Sequence, residues 1–390
     1  MRVAFAAVAL MVCAAAAAAP RIPANDAEVL ERLPIKPSDP LQRELRQLRQ
    51  AASSDPRNPD PALLLARRYF DIANAEGDPR YIGYAEAAIR PWSSQPDPLT
   101  PVLYTRALLR QWRHEFGPAM VDLNVILGRD PDDASTLLWR VALHLVQADY
   151  ASARADCDRV QPLASRLSAV ACYAVVDGRT GKARAAYQAI SGALTAFAVR
   201  DSDQKQWMQT RLAELALCFG DSVLAERHFR AAMAASGVDA FVLAEFADFL
   251  LDENRPAEVA AMLRDWSRND SLLLRLALAE TALAAPAARD RVRTLQDRFA
   301  AAALRGDTLH QQEEARFRLA LLHDTEGALE LASQNWKVQR EPRDARILLE
   351  AARAARRPQA ARAALDWLNE TRYEDPRYRA LGEDLGKMPR

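Results

Sequence analysis

The stretch Val175–Ile190, VVDGRTGKARAAYQAI, places Gly178, Gly181 and Lys182 ahead of a segment with helical spacing. Read as a phosphate-binding loop, it would make the protein a nucleotide enzyme. Such a loop needs a first glycine, four intervening residues, then Gly-Lys-Ser/Thr, all following a buried strand. Position 176 is Val and position 183 is Ala, so the first glycine and the metal-binding hydroxyl are both missing. The preceding LSAVACYAVV is rich in alanine, which favours helix over strand. The stretch therefore reads as helix, turn, helix.

The same frame recurs along the chain. In Leu103–Pro131, Ala107 is followed twelve residues later by Ala119, then by Leu123 and Ile126. In Met208–Ser236, Ala213 is followed twelve later by Ala225, then by Phe229 and Ala232. Ala171, Ala183, Tyr187 and Ile190 fit it, as do Ala320, Ala332 and Trp336. Val141, Ala153, Cys157 and Val160 fit more loosely, and so do Ala247, Val259 and Leu263. A small residue midway along each of two successive helices lets the backbones approach, and a larger apolar residue one turn on fills the space beside them. Three copies carry a glycine between the small residues, at Gly178, Gly220 and Gly327, where a positive φ would end the first helix tightly.

These residues resemble the tetratricopeptide repeat, a helix–turn–helix unit of roughly 34 residues whose copies stack into a superhelix. The resemblance covers residues 61–370 and implies an all-α, right-handed α-solenoid of antiparallel helix pairs. Each hairpin is too small to bury its own apolar stripe, so stability comes from stacking on neighbours. Residues 19–60 read as a Pro-rich arm and a first helix, and residues 371–390 as a C-terminal cap and polar tail. Three departures are expected: a longer turn at Gly77-Asp78-Pro79, a longer connection at Ser191–Gln206, and an extended second helix in Ala288–Thr308.

Composition agrees with an all-α chain. Half of the 390 residues are hydrophobic, 7% are aromatic, and only 13 are glycine. Lys+Arg and Asp+Glu balance at 52 each with no basic block, which argues against a nucleic-acid partner. The start, MRVAFAAVALMVCAAAAAAP, has one arginine, an apolar run and an alanine tract, the pattern of a secretory signal peptide over residues 1–18. Cys13 follows Val12, a bulky residue where lipidation favours a small one. No other run approaches a membrane span, so the expectation is an exported, periplasmic protein. Cys157, Cys172 and Cys218 sit among apolar neighbours and read first as packed cysteines, with a Cys157–Cys172 bridge as the alternative that an oxidising compartment permits.

Catalytic patterns are not found. The five histidines are scattered, His323 and Glu326 lack the second histidine of a zinc-protease helix, and there is no Gly-x-Ser-x-Gly. Asp132-Asp133 and Glu313-Glu314 lie where helices begin, and the helix dipole accounts for them. No cofactor and no metal is implied. The resemblance instead implies a peptide or protein partner in a groove lined by the first helices, with Tyr104, Gln111, Trp207, Thr210, Glu214, Glu245 and Asp248 as groove-facing candidates. Glu214, Glu245 and Asp248 would make that groove acidic and suited to a basic ligand. Two rival readings remain: the helical arm of a lytic-transglycosylase-like enzyme, and an outer-membrane lipoprotein assembly factor.

Overall fold

A computed structural model describes Asn25, residues 39–237 and residues 239–388. The leader expected at residues 1–18, Cys13 and most of the expected arm lie outside the described residues. By contact the chain divides into Met1–Gln47 and Leu48–Arg390. In the first, the described backbone opens α1 (Pro40–Ser54), where Asp39 Oδ1 accepts from the Leu41 amide at 2.8 Å. An oxygen there satisfies one of the donors that every helix start leaves over.

In the second, consecutive helices pack as antiparallel pairs: α2 (Pro59–Glu76) with α3 (Arg80–Ser93), α4 (Thr100–Trp112) with α5 (Phe116–Arg129), and α6 (Ala134–Val146) with α7 (Tyr150–Val160). There follow α8 (Arg166–Arg179) with α9 (Ala183–Ala196), α10 (Ser202–Cys218) with α11 (Ser222–Ala235), and α12 (Ala240–Asp252) with α13 (Pro256–Leu263). Next come α14 (Asp270–Ala282) with α15 (Ala288–Leu304), and α16 (Gln311–Phe317), extended by a π-helical turn, with α17 (Thr325–Val338). The last are α18 (Pro342–Ala354), α19 (Arg362–Thr371) and α20 (Pro376–Gly386). No strand occurs among the described residues. This unit is an all-α solenoid.

One turn geometry repeats between first and second helices. A residue with positive φ stands at His114, Ala148, Gly181, Gly220, Asn254, Ala284, His323 and Arg356. The amide after it reaches back to the first helix, as in Glu115 to Arg110 at 2.9 Å, Asp149 to His144 at 2.8 Å, Lys182 to Asp177 at 3.1 Å and Asp221 to Ala216 at 3.0 Å. This is the hydrogen bond of a Schellman stop. Buried Ala119, Ala153, Ala186, Ala225 and Ala328 follow five residues after the corresponding turn residue.

That geometry corrects the expected frame at two copies. Gly220 is a turn residue with φ 79°, but Gly178 lies inside α8 and Gly327 in the first turn of α17. The turn residues there are Gly181, with φ 74°, and His323, with φ 56°. Gly178 serves close packing, since a Cβ on it would stand 2.5 Å from Leu215 Cδ2 on α10. Ala320 is exposed, in the π-helical turn, and buried Ala315 takes the inner position. The other repeat positions, Ala107, Ala119, Ala171, Ala183, Ala213, Ala225, Phe229, Ala332 and Trp336, are buried. The turn after α2 is short, and the extra residues lengthen that helix to 18.

Cys157 on α7 and Cys172 on α8 form a disulfide with Cα atoms 5.7 Å apart, so the reading of these two as unpaired packed thiols is corrected. Cys218 is free and buried, and burial pushes its thiol up to about 12, which makes it inert.

The solenoid also contacts itself at long range. Asn269 donates to the Glu76 carbonyl at 3.0 Å, the Arg340 amide to the Val146 carbonyl at 2.8 Å, and the Ala183 amide to Glu374 Oε2 at 2.6 Å. The first and last of these pairs lie 193 and 191 residues apart in sequence. Each joins the start or end of a hairpin turn to a connection between later hairpins. Trp367 Nε1 adds a bond to the Tyr150 hydroxyl at 3.0 Å.

Candidate functional site

Of the three acidic side chains expected to line a groove, Glu214 lies on α10, while Glu245 and Asp248 lie on α12 about one helical turn apart. With Asp252 on the same helix, these two face arginines of the same chain. Asp248 accepts from Arg275 Nη2 and Arg316 Nη1, each at 2.6 Å. Burial pushes its carboxyl up, but the two guanidiniums outweigh that and hold it at about 2. Asp252 accepts from Arg346 at 2.7 and 2.6 Å and also from Arg377. Glu245 stands 3.8 Å from Arg343, and burial, with Glu214 and Asp248 nearby, raises its pKa. The basic ligand that this acidic row suits is therefore the protein's own set of later helices, α14, α16, α18 and α20.

The remaining candidates divide by accessibility. Thr210 is 1% exposed and its hydroxyl donates to the Gln206 carbonyl at 2.9 Å, so it belongs to the helix interior rather than to a groove. Glu214 is paired with Arg211 at 2.7 Å. Tyr104 and Gln111 are half-buried, and the Tyr104 hydroxyl engages Trp139 and Arg67. Trp207 is 42% exposed.

Trp207 stands at the edge of a cleft of about 450 Å³ formed by the first helices α6, α8 and α10. Leu138, Trp139, Leu145, Val175 and Met208 supply apolar walls, and Arg179, Arg211 and Glu341 gather at one side. Arg211 packs its guanidinium 5.7 Å from the Trp207 ring and 5.3 Å from the Phe241 ring, within the range of cation–π attraction. Its Nε is buried with no partner among the described residues. Arg179 faces Tyr373, Glu214, Glu341 and Tyr150 through space. Glu341 is held by Arg343 Nη2 at 2.8 Å; burial raises its pKa, but Arg343 and Arg179 prevail and keep it at about 2.

Sequence reading passed over Trp139, Arg179 and Arg211. A signal for inner-face and hairpin pairs was nevertheless present as a translation of 34 residues. Arg106 donates to Asp122 at 2.9 and 2.6 Å, and Arg140 donates to Asp156 at 2.7 Å, each pair 16 residues apart. Asp122 and Asp156 are buried at 2% and 3%, so each pair ties its hairpin together from inside.

At Lys182 the geometry excludes a phosphate cradle. The Ala183 amide that would meet an anion is taken by Glu374 Oε2, and Lys182 Nζ stands 3.6 Å from Asp177. Among the described residues no helix is long and apolar enough to cross a membrane.

No family model matches the chain, and no curated protein matches it. Solved structures do. A tetratricopeptide repeat protein from Parabacteroides merdae is 13% identical, with 74% of this chain and 98% of that one covered and a TM-score of 0.36. The anaphase-promoting-complex hetero-tetramer Cut9–Hcn1 matches at 14% identity, 84% and 85% coverage and a TM-score of 0.40. The chain is a helical-repeat protein, and its solved structural neighbours include tetratricopeptide repeat proteins.

Proposed function

We propose that this protein is a non-catalytic periplasmic scaffold that holds a peptide or protein segment on the face formed by its first helices. The observation that carries the reading is the exposure of Trp207, at 42%, on the inner helix α10 beside an open cleft, while the acidic row of α12 is already paired. A large amphipathic ring left in contact with water is the residue type that anchors partners. Tyr104 and Gln111 extend the same face toward α4. Export is supported by the leader-like pattern of residues 1–18 and by a Cys157–Cys172 bridge, which suits an oxidising compartment. Capture of crosslinked partners from intact cells, compared between the native chain and Trp207→Ala, tests the reading. Loss of one discrete partner in the variant is expected; the same partner captured by both would remove Trp207 from the site.

A further inference from the structure

We propose that the cleft between α6, α8 and α10 binds a small organic acid with an apolar body, its carboxylate taken by Arg211 and Arg179. The ligand is a small molecule, so the inference goes beyond the scaffold reading; both use the cleft beside Trp207, and the pentapeptide arm of the test tells them apart. The volume of about 450 Å³ lies inside the range of roughly 300–1,000 Å³ typical of ligand sites. The walls are mostly apolar, with Trp139, Leu138, Leu145 and Val175 available to cover a hydrocarbon chain or ring.

The polar end has the guanidinium charge to attract an anion. Two guanidiniums and one carboxylate border the cleft, and that carboxylate, Glu341, is already bonded to Arg343 at 2.8 Å. Arg211 uses Nη2 on Glu214 at 2.7 Å, which leaves its buried Nε without a partner. Arg179 brings a second guanidinium to the same border. A buried donor without a partner is costly, and a planar fork of N–H groups matches a carboxylate. Apart from the indole N–H groups of Trp139 and Trp207, the neutral polar side chains on the lining are Ser168 and Gln204, few acceptors and donors for the amides of a peptide main chain. An acid whose body lacks amides therefore fits the walls better than a peptide does.

Isothermal titration of the full chain with decanoate, below its micelle-forming concentration, is the test. Decan-1-ol supplies the same body without charge. An apolar pentapeptide with a free C-terminal carboxylate separates a protein source of the carboxylate from a small acid. Two variants accompany them, Arg211→Gln and Ala142→Trp; the second places a ring in the cleft from an exposed position on α6 and leaves the core alone. Far-UV circular dichroism checks that both are folded. Saturable 1:1 binding of decanoate is expected, weakened about tenfold or more in Arg211→Gln and for decan-1-ol. Binding should be abolished in Ala142→Trp, which decides the question if Arg211→Gln does not fold. Absence of saturable binding, equal affinity for the alcohol, or unchanged binding in Ala142→Trp would overturn the proposal. Tighter binding of the pentapeptide than of decanoate would overturn the small-molecule assignment.

Discussion

Replacing Gly181 by alanine strikes the point where the α8–α9 turn meets the loop between α19 and α20. Gly181 has φ 74°, where an L-residue costs about 1–2 kcal/mol. Against that, alanine restricts the unfolded chain and returns about 0.4–1 kcal/mol. The larger part comes from packing. A Cβ on Gly181 would lie 3.0 Å from Arg372 Cβ and 3.1 Å from the Arg372 carbonyl oxygen, and backbone yields less easily than a side-chain tip. Overpacking of this kind costs about 1–3 kcal/mol, so Gly181→Ala should destabilise by about 3 kcal/mol in all. Gly220→Ala is the matched control: φ is 79° and the nearest atom, Pro376 Cγ, is at an ordinary 3.4 Å, so about 1 kcal/mol is expected. Urea unfolding followed by circular dichroism gives both values. Combining Gly181→Ala with Glu374→Ala, which removes the acceptor of the Ala183 amide, should give a coupling of at least about 0.5 kcal/mol, because both changes loosen one junction. Equal costs at Gly181 and Gly220, together with additivity with Glu374→Ala, would refute the docking of the two turns.

Other outcomes follow from the same contacts. Asp252→Asn leaves Arg346 and Arg377 facing a neutral amide in a site where Asp252 is 15% exposed; a loss of about 2–3 kcal/mol in urea unfolding is expected. Reducing the Cys157–Cys172 bridge, which spans a sequence separation of 15, should cost about 2–3 kcal/mol, read as a lower urea midpoint with dithiothreitol than without. The contributions of three groups should be lost on acidification in two stages, isolated as the stability difference between the native chain and His228→Gln or Asp248→Asn in unfolding at graded pH. The difference is needed because Asp344, pushed up to about 8 by burial and Glu341, acts in the opposite sense between pH 8 and about 4. His228 is held down to about 4 by burial and then by Arg227, so its neutral form contributes above its unfolded value near 6.5, and that contribution is lost as pH falls toward 4. Asp248 and Glu341, both held at about 2, contribute above roughly pH 4, and their contribution is lost as pH falls through 2.

Much of this architecture was legible in the sequence because helix pairing is local. Small residues at Ala107, Ala119, Ala213 and Ala225 marked the hairpin contacts, and Gly220 marked a true turn. The frame slipped at Gly178 and Gly327 because three or four residues is nearly one helical turn. A shift of that size keeps the same helix face, so Ala171, Ala183 and Ala332 still match a buried pattern. Glycine was also an unreliable marker, since His114, Ala148, Asn254, Ala284, His323 and Arg356 adopt positive φ without it. The site was harder to read. Whether Glu245 and Asp248 face water depends on Arg343 and Arg316, which come from later hairpins, and no local pattern encodes such a meeting. Trp207 was found because it is aromatic on a first helix, whereas nothing local sets Arg179 and Arg211 apart from the other arginines.

Hydroxyl-radical and carboxyl footprinting of the full chain, read by mass spectrometry, addresses the central claim that α12 is occupied from within while the α6–α8–α10 cleft stays open. Trp207 should be oxidised readily, whereas Trp336 and Trp367, at 7% and 5% exposure, should be spared. Carboxyl labelling should reach Asp97 and Asp290, which are 90% and 74% exposed, and leave Asp248 and Asp252 protected. Labelling of Asp248 and Asp252 as fast as Asp97, with Trp207 protected, would contradict it.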